Sequence, residues 1–155
     1  MGMEYREEDL HRHIQELEVG DKFFTKSKVV TRTEVELYAT INGDTLPAAL
    51  SEAAAKERGW KGQLVPGLLT FSQAMGLLIQ SGFIMQAKAF LGCDGLRFNK
   101  AVYVYDEIRV EAEVLSKERK EKNGKTNWFC RYKWVVRNQL DENVAEGINI
   151  GMFNA

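Results

Sequence analysis

The chain has 155 residues, 45% of them hydrophobic and 28% charged, with only 2 prolines, the composition of one globular domain and not of a disordered chain. Its 21 Lys and Arg meet 22 Asp and Glu for a net charge of -1, so the basic excess that phosphate neutralisation demands is missing and nucleic acid is excluded as the main partner. A domain of this size buries roughly 70% of the surface its unfolded chain exposes and needs no disulfide or metal to hold it.

The opening run, MGMEYREEDLHRHI, is polar and mixed in charge, unlike a secretory leader. Leu10, Ile14 and Leu17 recur at helical spacing, so residues 4–17 are expected to form a short charged helix. Residues 1–16 then make an N-terminal helical arm ahead of one domain over residues 17–155. The run 22–31, rich in Phe, Val and Thr, predicts a strand. Thr33 and Glu36 have the spacing of a capping box, and Val35, Leu37, Tyr38 and Ile41 supply the apolar stripe of a helix ending at Asn42-Gly43. Pro47 disfavours helix at Leu46, which makes residues 44–47 a turn. Ser51 caps a short helix over 52–58, stopped by Gly59.

The most apolar helix opens at Val65-Pro66-Gly67-Leu68 and runs to about Gln80 or Phe83. It is apolar on nearly every side and needs other structure around it. Gly76 within it costs about 1 kcal/mol relative to Ala, a cost that close backbone packing would justify. Thr70, Ser72, Gln73, Gln80 and Ser81 interrupt the apolar run 68–85, which therefore falls short of the roughly 18 continuous apolar residues of a membrane span. A soluble, cytoplasmic protein without a membrane partner is the expectation.

Residues 96–105 are expected to be extended. Over 107–114 the alternation is strict, with Ile108, Val110, Ala112 and Val114 on one face and Glu107, Arg109, Glu111 and Glu113 on the other, the pattern of a half-buried antiparallel strand. Runs 126–137 and 144–153 add two more strands, with hairpin turns at 122–125 and 138–141. Helices gather in the first half and strands in the second. The class is α+β, with an antiparallel sheet curled around a long central apolar helix.

Cys93 and Cys130 have no CxxC partner and read as small apolar groups in a reducing compartment. The only histidines, His11 and His13, stand apart from both, so no metal site and no cofactor are expected. Gly124-Lys125-Thr126 resembles the end of a phosphate loop, but Arg119 occupies the position of the required glycine, and a hairpin explains the string better. The charge run 117–122 reads as a solvated hairpin tip.

Two places remain informative. Asp44 puts a carboxylate on a tight turn after a helix, where it either does chemistry or merely caps turn amides. Gly67 opens the apolar helix without a side chain, leaving free N–H groups at the positive end of the dipole, either for a carbonyl oxygen or for close packing.

The pattern Tyr38-Ala39-x-x-x-Gly43-Asp44-x-x-Pro47, then residues 64–70 (LVPGLLT), then residues 96–108 (LRFNKAVYVYDEI), resembles the MaoC-like dehydratases, the (R)-specific enoyl-CoA hydratase family of hot-dog folds. The resemblance covers roughly residues 17–153. It implies a dimer or a higher assembly of dimers whose sheets join edge to edge, with a coenzyme A thioester bound near the interface. It also implies addition or removal of water at the 2,3-position, with Asp44 as the catalytic carboxylate and Gly67 as the oxyanion donor. Pro66 and Leu68, flanking Gly67, are expected to bind substrate, and Arg97 and Lys100 to meet its phosphates. Coenzyme A enters as part of the substrate.

The chain also departs from the family pattern. Ala49 stands where the family has a histidine, Pro66 where a histidine often precedes the glycine, Met75 near the place of a serine, and Ala101 and Tyr105 where a proline and a glycine are usual. A methyl group at Ala49 cannot act as a base. A non-catalytic acyl-CoA-binding protein or subunit, or an acyl-CoA thioesterase, is therefore the alternative expectation.

Overall fold

The computed structural model describes residues 2–6 and 16–154. The strands are β1 (Glu4–Tyr5), β2 (Lys22–Phe24), β3 (Lys28–Val29), β4 (Ala87–Phe98), β5 (Glu107–Lys122), β6 (Lys125–Arg137) and β7 (Asn143–Asn154); the helices are α1 (Arg32–Asn42), α2 (Pro47–Leu50), α3 (Glu52–Glu57) and α4 (Gly67–Gln80). One sheet runs in the order β1-β2-β5-β6-β7-β4, with β3 pairing β5 off that path. The expected α+β hot-dog arrangement is present, with α4 packed against the sheet. No helix among the described residues is long and apolar enough to cross a membrane.

The pairings are antiparallel except for β1, which runs parallel to β2. This revises the expected helix over residues 4–17, since Glu4 and Tyr5 pair with Lys22 and Phe23; the rest of that helix falls largely on residues 7–15, outside the described residues. Asp21, 3% exposed, makes this pairing possible. Its two carboxylate oxygens accept from the amides of Met3 (2.8 Å) and Glu18 (2.9 Å), tying the chain start to the domain.

Two other expectations shift. The strand over 22–31 is interrupted, because the Thr25 hydroxyl accepts the Val110 amide (2.9 Å) where a ladder carbonyl would stand. The capping box is Thr31 with Glu34, reciprocally bonded at 3.2 and 3.0 Å, two residues before the expected pair. Thr-x-x-Glu occurs twice in register here, and only the chain's exit from β3 decides between them. Helix α1 ends as expected at Gly43, whose φ of 72° lets its amide return to the Ala39 carbonyl at 2.9 Å.

The alternation over 107–114 holds, with Ile108, Val110, Ala112 and Val114 all buried. At the far end β5 and β6 turn through Asn123 and Gly124, both with positive φ, the two-residue hairpin that matches sheet twist. From Glu118 onward the charge run is exposed. The extended run at 96–105 is shorter than expected in one direction and longer in the other. Strand β4 starts at Ala87 and stops at Phe98, after which Tyr103 bridges back to Leu64.

Helix α4 buries Leu69, Thr70, Ala74, Leu77 and Leu78, but Leu68 and Ile79 stay exposed at 60% and 45%. The helix is therefore covered on one face within this chain rather than wrapped. Among the described residues nothing lies within 4 Å of where a Cβ on Gly76 would stand, so close packing between them does not explain it. The core continues through the rings of Tyr5, Phe23, Phe83 and Tyr132, each 4.6–5.3 Å from the next. Buried Asn149 accepts from Trp134 Nε1 (2.8 Å) and donates to the Tyr132 hydroxyl (3.1 Å) and Met75 sulfur (3.0 Å). Cys130 is buried, which pushes its thiol up to about 12, and Cys93 is half-buried; both are free.

Candidate functional site

Pro66 fixes the entry to α4. It caps the helix at φ −55° without a side-chain bond, and its carbonyl accepts the amides of Leu69 (3.0 Å) and Thr70 (3.1 Å). The amides of Gly67 and Leu68 have no acceptor among the described residues, as helix geometry requires of a first turn. The segment before Pro66 is pinned on both sides. Val65 donates to Val102 (2.8 Å) and Leu64 to Ala48 (3.0 Å), while Gln63 Nε2 donates to the Ala49 carbonyl (2.8 Å).

Gly67 lines a cavity of about 350 Å³ together with Trp60, Thr70, Phe98, Asn99 and Lys100. The polar groups on this wall are mostly engaged. Asn99 donates to Asn143 and Glu146, both at 3.0 Å, and Lys100 pairs with Glu142. Hydrogen bonds from Lys100 and Asn138 hold the Glu142 carboxyl below the usual carboxylate range. Thr70 differs from its neighbours. It is 1% exposed, and its hydroxyl has no partner among the described residues.

The expected site residues divide. Gly67 and Lys100 share the cavity wall, and half-buried Pro66 shapes the helix mouth. Leu68 is exposed and does not line the cavity, and Arg97 lies exposed on β4. Asp44, partly buried in the loop between α1 and α2, does not line the Gly67 cavity within this chain. Ala49 is 5% exposed and belongs to the core cluster, so the methyl packs where the family pattern places an imidazole. Met75 serves as an acceptor for Asn149, and with Ser72, Phe71, Ile84 and Phe90 it lines a second cavity of about 430 Å³ between α4 and β4. Among the described residues no group of three or more His, Cys, Asp or Glu is placed to hold a metal.

Thr70 and Phe98 stand inside the motif runs without an assigned role, and Trp60 stands outside them. For Thr70 a signal exists, a hydroxyl on the buried side of an apolar helix one turn after its opening glycine. Trp60 and Phe98 come to Gly67 through tertiary packing and carry no local signal.

Comparison with known proteins gives the chain its relatives. The family model described as the MaoC like domain matches residues 15–128. Protein MaoC of Klebsiella aerogenes is 28% identical over 112 residues, covering 70% of this chain and 33% of that protein, so the chain spans about a third of its relative's length. The R-hydratase PhaJ1 of Pseudomonas aeruginosa superposes with a TM-score of 0.73 at 28% identity, over 90% of this chain and 84% of that one. A monoamine oxidase regulatory protein from Archaeoglobus fulgius superposes at 0.82 with 23% identity, over 99% and 97%, a likeness of fold.

Proposed function

Because the chain belongs to the MaoC-like domain family, we propose that it acts as a hydratase or dehydratase on a coenzyme A thioester, adding or removing water across the 2,3-bond. The likeness to an R-hydratase at 28% identity supports the reaction class. The observation that carries the reading is the unengaged amide of Gly67, at the mouth of α4 and on a cavity wall. When water adds at C3, negative charge builds on the thioester oxygen, and a preorganised N–H at a helix N-terminus stabilises that charge more than it stabilises the ground state.

The reading also requires Asp44, which does not line the Gly67 cavity within this chain, to reach the acyl chain of a thioester held there; it then takes the proton from the attacking water and delivers a proton to C2. With Ala49 in place of a second acid–base group, one carboxylate does both tasks, which lowers the rate by about 10²–10⁴-fold relative to a pair. Lys100 at the cavity and Arg97 on β4 serve the coenzyme A phosphates. A second copy joins through β4, an edge strand whose Phe90 and Leu91 are 55% and 50% exposed, and covers the open face of α4.

The burial of Ala49 in the core favours a second reading, a domain that binds acyl-CoA without turnover. Absorbance at the enoyl band of crotonyl-CoA separates the two. Hydration that Asp44→Asn abolishes supports the enzyme. Saturable stabilisation by coenzyme A thioesters with no hydration supports the binding domain, and release of free thiol instead points to a thioesterase.

A further inference from the structure

We propose that Thr70 is a second hydrogen-bond donor to the ligand's carbonyl, acting beside the Gly67 amide; this rests on the coenzyme A thioester reading above. A carbonyl oxygen has two lone pairs, and a single amide at a helix mouth uses one of them. Three residues along α4 bring Thr70 to the same side of the helix one turn later, and both residues line the same cavity. The Thr70 hydroxyl is the unusual group there. It sits in a side chain only 1% exposed, and among the described residues it has no acceptor and no donor. Buried hydroxyls are almost always paired, because leaving one unpaired forfeits its hydration without return.

The other buried side-chain atom without a partner among the described residues, Gln73 Oε1, does not line this cavity, and the polar groups that do line it are taken. Asn99 is held by Asn143 and Glu146, and Lys100 by Glu142, so neither needs Thr70. The Pro66 carbonyl, the acceptor a helical threonine commonly uses, already receives two amides. A thioester carbonyl entering the cavity supplies an acceptor, and the hydroxyl and the Gly67 amide then hold it from two directions. Thr70 thereby fixes the carbonyl's orientation relative to C3. It selects ligands by the presence of that oxygen and not by the length of the acyl chain.

The test uses two ligands that cannot be hydrated, butyryl-CoA and its thioether analogue S-butyl-CoA, which lacks the carbonyl. Calorimetry is run on the wild type, Thr70→Val and Thr70→Ser, with melting temperatures for each unliganded protein. Thr70→Val should weaken butyryl-CoA roughly three- to tenfold while S-butyl-CoA is unchanged, and Thr70→Ser should restore most of the loss. Unliganded Thr70→Val should melt no lower than the wild type, because no internal hydrogen bond is removed. Equal losses for both ligands, no loss for either, or a clear drop in the unliganded melting temperature overturns the proposal and leaves the family function intact. If the wild type binds neither ligand, the thioester reading fails and takes the proposal with it.

Discussion

The ring of Phe98 lies across the Cα of Gly67 so closely that a methyl group built there would stand 2.9 Å from the ring's Cζ. Strand β4 ends at Phe98 and α4 begins at Gly67, so the last side chain of one element roofs the first residue of the other. Phe98 is 46% exposed, and its ring can swing outward. Gly67→Ala should therefore fold, with a melting temperature near that of the wild type, since Ala is also the better helix residue. The methyl and the displaced ring would occupy the cavity, and butyryl-CoA affinity should fall by roughly tenfold or more. Adding Phe98→Ala should recover part of that loss, a non-additivity that a double-mutant cycle measures.

Tyr105 holds φ at 74°, a left-handed conformation that a bulky residue adopts only under constraint. Its amide donates to the Val30 carbonyl at 2.7 Å, which fixes the backbone, while the side chain is 66% exposed and packs little. The family pattern has glycine here, and the backbone geometry explains that preference. Tyr105→Gly should stabilise the fold by roughly 1 kcal/mol, after the greater chain entropy of glycine is offset. Urea unfolding with an unchanged slope checks it.

The sheet half of the fold was legible because its signal is local and of period two. Ile108 to Val114 alternate without a break, and Asn123-Gly124 can hardly be anything but a hairpin. The helix ends were legible through Gly43, Ser51 and Gly59, each a backbone signal. Pairing across long separations was not legible. Nothing in Glu4-Tyr5 announces a parallel partner at Lys22-Phe23, because the cause is the buried carboxylate of Asp21 that gathers both segments. The candidate site divides along the same line. Gly67 could be read from its place before an apolar helix, whereas the roof of Phe98 and the tryptophan beside it arise from how β4 and the loop before α4 return. The apolar stripe of α4 showed how much surface needs covering but not what covers it, and within this chain Leu68 and Ile79 stay open.

Asn149 is fully buried and serves three partners, Trp134 and Tyr132 on β6 and Met75 on α4. Asn149→Ala removes the acceptor of a buried indole N–H and leaves a small void, so two separate penalties apply. The expected loss is about 2–4 kcal/mol in urea unfolding. Asn149→Leu fills the volume but still strands the Trp134 N–H, and should cost less than Asn149→Ala. If the two variants were equally stable, the void would contribute nothing.

Burial alone would raise the Glu34 carboxyl, but hydrogen bonds from the Lys28 ammonium and from the Thr31 amide and hydroxyl outweigh it and hold the carboxyl below its ordinary 4.5. Gln73 Nε2 donates to the same carboxylate, joining the start of α1 to α4. The folded state thus binds the Glu34 proton more weakly than the unfolded chain does. Its stabilising contribution is complete above the ordinary value and is lost as pH falls through the depressed one. Glu34→Gln should therefore be less stable than the wild type near about pH 7, with the gap closing as the solution is taken below about pH 4. Urea midpoints of both proteins across that range measure the closing, and a gap that stays constant with pH would mean that the carboxylate's charge is not what ties the two helices together.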